Sequence, residues 1–297
     1  MRTILSLVSE YEDYLKHERR VAPSTVVAYL SDLKQLGQAI TQDVADIKLN
    51  DLRTYQSSLG KRGFKNATIT RKFDGFRTFW KWMQMEKYVD DNIPELIRLP
   101  RRNRRVPKWL SEADLTRFAN TPIEPYRAYS DPLREGLAWK TFAWLGLRRA
   151  ELLNLRIRDV QLEDGTLTIR HSKGDRDRVL PLPDALKPGY QALVAGRAPE
   201  DYVFVGYRSP KWSVHSLMRA FQRHLKTCGL DNRDVTPHTI RHSFATHLAR
   251  KGVPLPVIKT LLGHADVKTT MVYVHVGQED LERAIAQHVL NSASRDL

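Results

Sequence analysis

Three stripes of apolar residues at helical spacing, with one further helix between the second and third, open the chain. Ile4, Val8, Tyr11 and Leu15 recur at intervals of three and four residues, which places them on one helix face. Pro23-Ser24-Thr25 begins a second helix, with serine as the N-cap and Val26, Leu30, Leu33 and Leu36 along one side. Asn50 or Asp51 starts a short third helix that stops near Gly60. Asn66 precedes a long fourth, with Phe73, Phe76, Trp80 and Met83 turned inward. Aromatics at that spacing read as core rather than as base-stacking groups. Residues 1–100 are therefore expected to form one small all-helical domain.

Beyond residue 110 the pattern mixes periods. Ser111-x-x-Asp114 is a capping-box signature, and a helix is expected over 133–145, ending at Gly146. Asp164-Gly165 is a tight-turn pair. The residues 166–170 alternate like a strand, and Arg178-Val-Leu-Pro-Leu182 supplies a second. Between them, residues 172–176 form a hairpin tip with Lys173 at the turn. His238 and Arg241 lie at the start of another helix, and 257–262 forms one more, ended by Gly263-His264. Residues 267–273 add a helical turn or two. Over 278–290, Leu281, Ala284, Ile285, His288 and Val289 share one side of a last helix. A helix so short needs a surface on which to bury that stripe. The expected second domain, residues 111–297, is mainly α with a small antiparallel sheet.

Charge adds a partner to this picture. The chain has 297 residues and a net charge of +14, which suits a polyanion. Residues 101–110 hold Arg101, Arg102, Arg104, Arg105 and Lys108 with no acid, between Pro100 and Pro107. Prolines bias their neighbours toward extended backbone, so this reads as an exposed interdomain linker able to track a DNA backbone. In the fourth helix and just upstream stand Lys61, Arg62, Lys65, Arg71, Lys72, Arg77 and Lys81, with Asp74 as the one acid among them. That face is expected to contact phosphates.

Composition also excludes. With Cys228 as the one cysteine, neither an intramolecular disulfide nor a four-cysteine zinc site can form. No signal peptide is recognisable and no apolar run approaches the ~20 residues that span a bilayer, so a cytoplasmic protein is expected. His238, His242 and His247 invite a zinc reading, but Thr239 and Ile240 follow His238 where a metalloprotease helix would carry glutamate. No metal and no cofactor are expected; His242 and His247 are assigned to packing or hydrogen bonding.

The candidate chemistry lies in four short segments. His238-x-x-Arg241 puts an imidazole and a guanidinium on one helical face, His264 follows a Leu-Gly pair, and Tyr273 comes nine residues later. Arginine grips a phosphoryl group bidentately, histidine moves protons near neutral pH, and tyrosine can act as a nucleophile. Upstream, Gly146-Leu147-Arg148-Arg149-Ala150-Glu151-Leu152-Leu153-Asn154-Leu155 and Lys173 complete the set.

These segments, in this order and spacing, resemble the tyrosine recombinases, also called the phage integrase family, and most closely its Xer-type members. The resemblance covers nearly the whole chain and implies a core-binding, SAM-like helical domain followed by a catalytic domain. It assigns Arg148, two positions after the glycine of its box, and Arg241 to the scissile phosphate. It makes Tyr273 the nucleophile, Lys173 the acid that protonates the leaving 5′ oxygen, and Glu151 the residue that steadies its neighbours. His238 is the better-placed base, and His264 hydrogen-bonds a phosphate oxygen. The family acts on double-stranded DNA as a tetramer on two sites, of one recombinase or two, through a 3′-phosphotyrosyl link and a Holliday junction, without ATP. Its C-terminal segment docks into a neighbouring protomer; for the helix over 278–290, packing on its own domain is the alternative. With no domain ahead of the helical one, the arm-site binding of some phage integrases is not expected. Arg149-Ala150, and Leu145 before the glycine, depart from the common pattern without touching the catalytic positions.

Other readings stay open within and outside this class. Resolution of chromosomes or plasmids and integration or excision of a mobile element share the same boxes. A type IB topoisomerase shares the chemistry, and a non-catalytic DNA-binding regulator, with a helix-turn-helix near Gly263, shares the charge.

Overall fold

The computed structural model of the protein describes residues 1–100, 108–126, 130–170 and 177–263. Lys173, His264, Tyr273, the basic run Arg101, Arg102, Arg104 and Arg105, and the helix expected over 278–290 lie outside the described residues. The chain divides into two compact units, Met1–Val106 and Pro107–Leu297, each with its own core.

The first unit is all helical. A 3-10 turn leads into α1 (Val8–Asp13), which widens into a π turn over Tyr14–Glu18. Then follow α2 (Pro23–Ala39), α3 (Leu49–Lys61) and α4 (Asn66–Met85). Every stripe residue read from the sequence is buried, from Ile4 and Tyr11 to Trp80 and Met83. Helix α4 buries Phe79 and Trp82 as well, because α2, α3 and the turn at Ile93–Leu96 pack around it.

Two helix starts differ from expectation. In α2 the cap position is Ala22 and Pro23 fills the first turn, where its missing N–H costs nothing. Helix α3 starts at Leu49, and Asp51 reaches back to accept from the Lys48 N–H at 2.8 Å and from Gln42 Nε2 at 2.9 Å.

The basic face of α4 needs correction. Lys72 is buried, donating to Asp32 Oδ1 at 2.7 Å and to Gln35 Oε1 at 2.9 Å. Arg71 grips the same carboxylate at 2.5 and 3.1 Å. Arg77 donates to the carbonyls of Pro94 and Ile97, both at 3.2 Å, and lies 3.6 Å from Asp74. Lys72 is therefore enclosed within the fold and not on its surface, whereas Arg71 and Arg77, paired here, keep side chains 45 % and 31 % exposed. The reason is Asp32 on α2: a buried carboxylate must be paired, and α4 supplies the cations. Lys61, Arg62, Lys65 and Lys81 are exposed.

In the second unit, α5 (Glu112–Asn120) starts on Ser111, whose Oγ accepts from the Asp114 N–H at 3.1 Å. Only that half of the expected box forms, since the Asp114 carboxylate turns to Arg117 and to Arg233 Nη1 at 2.5 Å. Helix α6 (Pro132–Leu145) is buried on nearly all sides and forms the axis of this core, with Trp139 and Phe142 enclosed. The short α7 (Arg149–Asn154) follows. Strands β1 (Val160–Gln161), β2 (Thr166–Ile169) and β3 (Arg178–Pro181) form an antiparallel sheet in that order, with Leu167 opposite Leu180 and Ile169 opposite Arg178. Helices α8 (Lys187–Val194) and α9 (Val214–Thr227) complete the core, and α10 (Pro237–Arg250) and α11 (Leu255–Leu262) bring the site residues. Among the described residues no helix is long and apolar enough to cross a membrane.

Candidate active site

The site is built where two helix ends and one helix start meet. Helix α6 ends on Gly146, whose left-handed φ of 59° lets the chain double back into α7. A Cβ there would lie 2.5 Å from Phe244 Cδ1, so glycine is required twice over. Arg148 then occupies the cap position of α7, and its N–H donates to Glu151 Oε2 at 2.8 Å. That local bond turns Arg148 inward and leaves Arg149 exposed on the first turn of the helix.

Helix α10 is started by a reciprocal cap. Thr236 Oγ1 accepts from the Thr239 N–H at 3.2 Å, Thr239 Oγ1 accepts from the Thr236 N–H at 3.1 Å, and Pro237 opens the first turn. This holds His238 and Arg241 on one face of the helix. The helix is fastened from the other side as well. Ser243 Oγ accepts from the Leu110 N–H at 2.8 Å, and His247 Nε2 bonds the Leu110 carbonyl at 2.9 Å with its ring edge-on to Trp109. His247 thus serves packing and hydrogen bonding, and His242 is buried.

Glu151 sits at the centre, itself buried. Arg148 Nη1 donates to Oε1 at 2.7 Å, Arg178 donates to both oxygens at 3.0 and 2.9 Å, and Arg241 Nη1 stands 3.7 Å from Oε2. Burial pushes the carboxyl pKa up, but the hydrogen bonds and charge of Arg178, the Arg148 N–H and the charge of Arg241 outweigh it and hold it at about 2. Glu151 is therefore a fixed anion among three cations.

The same three arginines complete the end of α11. Its last carbonyls have no partner within the helix. Arg178 Nε donates to Leu261 O at 2.9 Å, Arg241 Nη2 to Leu262 O at 2.5 Å, and Arg148 Nη2 to Gly263 O at 2.9 Å. Arg241 Nη1 also donates to Gly146 O at 2.7 Å. The Arg241 side chain is 2 % exposed and that of Arg148 35 %, so Arg148 forms the outer lip of the site and Arg241 its floor.

His238 is exposed above this floor. The protein packed about its ring, then the positive charges of Arg241 and Arg148, lower its pKa below the ordinary imidazole value. The structure thus brings together Arg148, His238, Arg241 and Glu151 of the expected set. The residue that sequence reasoning missed is Arg178, which appeared there only as the start of a strand.

This arrangement can be set beside known proteins. Residues 108–280 match the Phage integrase family, and residues 8–87 match the phage integrase N-terminal SAM-like domain. The chain belongs to the phage integrase family. A tyrosine recombinase of Pseudothermotoga lettingae is 32 % identical over 290 residues, which cover 94 % of this chain and 96 % of that protein. Tyrosine recombinase XerD of Yersinia pestis is 31 % identical over 293 residues, covering 95 % and 96 %. Among solved structures, the XerH site-specific recombinase bound to its difH substrate superposes with a TM-score of 0.68 at 24 % identity, covering 94 % of this chain and 84 % of that one. The Tn1549 transposon integrase in complex with a circular intermediate DNA gives 0.73 at 16 %, covering 97 % and 99 %. At these identities the structural likeness is one of fold.

Proposed function

We propose that the chain is a site-specific DNA recombinase in which Arg148 and Arg241 hold the scissile phosphate and Tyr273 attacks it. The observation that carries this reading is the meeting of Arg148 and Arg241 on the buried Glu151, with His238 beside the two arginines, at the helix end that leads into His264. A phosphodiester repels nucleophiles, and its pentavalent transition state carries more negative charge still. Two fixed guanidiniums supply the charge that a metal ion supplies elsewhere, and loss of one such donor typically costs on the order of 10²–10³ in rate.

The lowered pKa keeps His238 neutral near pH 7, the form that can take the tyrosine proton. Lys173 protonates the departing 5′ oxygen, and His264 hydrogen-bonds a non-bridging oxygen. Attack by the Tyr273 hydroxyl forms a 3′-phosphotyrosyl bond and breaks the bond to that 5′ oxygen. The 5′ hydroxyl of a second duplex then displaces the tyrosine. One phosphodiester replaces another, so neither ATP nor a cofactor enters. Four protomers on two duplexes carry the exchange through a Holliday junction, in the cytoplasm, with the cations of residues 101–105 and the exposed Lys61, Arg62, Lys65 and Lys81 on the DNA backbone. Resolution of multimeric circles is the role we favour, since relatives named XerD match over nearly their full length.

Detergent-stable protein–DNA adducts test the chemistry. Wild-type protein should form them in EDTA, and Tyr273→Phe should bind DNA equally well and form none. Adducts that persist in that variant would remove Tyr273 from its role. Supercoiled plasmids bearing zero, one or two binding sites then separate recombination from simple relaxation or binding.

A further inference from the structure

We propose that Arg178 is a positioning residue for strand cleavage: from β3 it clasps Glu151 and the end of α11, and so holds Arg148 and Arg241 where they meet the phosphate. The inference rests on the reading of those two arginines given above.

The starting observation is a charge in an apolar place. Along β3 the inward positions are Arg178 and Leu180, while Val179 between them is 62 % exposed. A strand with one buried face should carry an aliphatic side chain at 178. Burying a guanidinium costs free energy unless every donor is matched, and apolar residues in place of the whole buried ion pair are often no less stable, although removal of one partner alone is costly. Stability therefore does not explain the choice, and what the guanidinium holds does.

It holds two things at once. Nη1 and Nη2 take both oxygens of Glu151, and Nε takes the carbonyl of Leu261. The planar fork of arginine matches that demand, which the single ammonium of lysine cannot. The next two carbonyls of the same helix end go to Arg241 and Arg148. Three consecutive carbonyls and one carboxylate thus define the positions of three guanidiniums, of which Arg178 and Arg241 are buried, with side chains 6 % and 2 % exposed, and Arg148 is the one partly open to solvent.

Gly263 confirms how tightly Arg178 is seated. A Cβ at that position would lie 2.7 Å from Arg178 Nη1, so the chain before His264 carries no side chain where the guanidinium lies against it. Without Arg178, Glu151 keeps its whole charge for Arg148 and Arg241. The 3.7 Å gap to Arg241 would close, drawing that guanidinium down toward the carboxylate and away from the phosphate. Arg178 acts through these neighbours and does not touch the substrate.

Single-turnover formation of the covalent adduct on saturating duplex DNA carrying the protein's binding site tests this, with DNA affinity and melting temperature measured alongside. For Arg178→Met we expect DNA affinity within about threefold of wild type and a rate constant lower by ~10²-fold, the scale of an ångström-sized misplacement. Arg178→Lys should recover about tenfold of that loss, since one donor replaces a fork. The rate constant matters because poor folding lowers the amplitude of the adduct and not the speed with which the folded fraction forms it. Unchanged rate constants in both variants, with only amplitude or melting temperature reduced, would overturn the proposal. Should Arg178→Met fail to fold, Arg178→Lys decides alone, and a rate constant equal to wild type would overturn it. The double change Glu151→Gln with Arg178→Met should lose less than the sum of the two single losses, because Glu151 is one of the two groups that Arg178 holds; fully additive losses would also overturn it. Wild type and Tyr273→Phe run in the same gel keep the two readings apart. No adduct in wild type, or an adduct in Tyr273→Phe, defeats the recombinase reading and this inference with it. A normal wild-type adduct with undisturbed Arg178 variants defeats this inference alone.

Discussion

Arg148 donates from Nη2 to the carbonyl of Gly263 at 2.9 Å, across 115 residues of sequence. Both ends of that bond depend on glycine turns: Gly146, two residues before Arg148, has φ 59°, and Gly263 has φ 63°. The phosphate-binding lip is therefore set by two helix ends, each closed in the left-handed conformation that only glycine adopts freely.

Gly263→Ala should cost about 1–2 kcal/mol from the left-handed backbone alone, and more from the displaced Arg178. Urea unfolding of the intact chain should show a lower midpoint, and adduct formation should slow. An unaltered midpoint would mean that the helix end relaxes at no cost.

Glu151 gives a pH signature. Its carboxyl stands at about 2 in the folded chain against 4.5 for an ordinary glutamate, so folding favours the ionised form. The stabilisation is complete above pH 4.5 and disappears as pH falls toward 2; the difference corresponds to about 3 kcal/mol. Over that window Glu151→Gln should lose less stability than wild type. Parallel losses in the two proteins would show that the arginines do not read this charge.

Asp32 separates structure from DNA contact in the helical unit. Asp32→Ala leaves Lys72 buried without its carboxylate and should cost on the order of 3 kcal/mol. Lys72→Met should leave the salt dependence of DNA binding unchanged. Alanine at an exposed cation such as Lys61, Lys65 or Lys81 should reduce that salt slope by about 1 for each phosphate left without its cation. A reduced slope in Lys72→Met would put the lysine back on the DNA.

His238 predicts the acid limb of cleavage. A base with a lowered pKa is deprotonated sooner as pH rises, so kcat/KM should climb and reach its plateau from a midpoint below 6.5. His238→Gln should abolish that limb. A limb that survives in the variant would assign the proton to another group.

Much of this protein is legible in the order of its residues. Helical stripes such as Ile4, Val8, Tyr11 and Leu15 are local, because burying one face of a helix needs only a period of 3.6 residues. The Thr236-Pro237 start of α10 and the glycine ends at 146 and 263 are equally local, since capping involves residues within one turn. These fixed where His238, Arg241 and Arg148 stand along the chain.

What tertiary structure decided is which charge meets which. Helix α4 and the segment just upstream read as seven cations against Asp74, yet Asp32, some forty residues earlier, claims Lys72 and Arg71. Arg178 carries a faint signal, a charge at an inward position of a short strand, but nothing near it in sequence names its partner. Its carboxylate lies 27 residues upstream and its carbonyl 83 residues downstream. Electrostatic pairing acts through distance in space, and only the packing of α7, β3, α10 and α11 brings those groups within reach of one another.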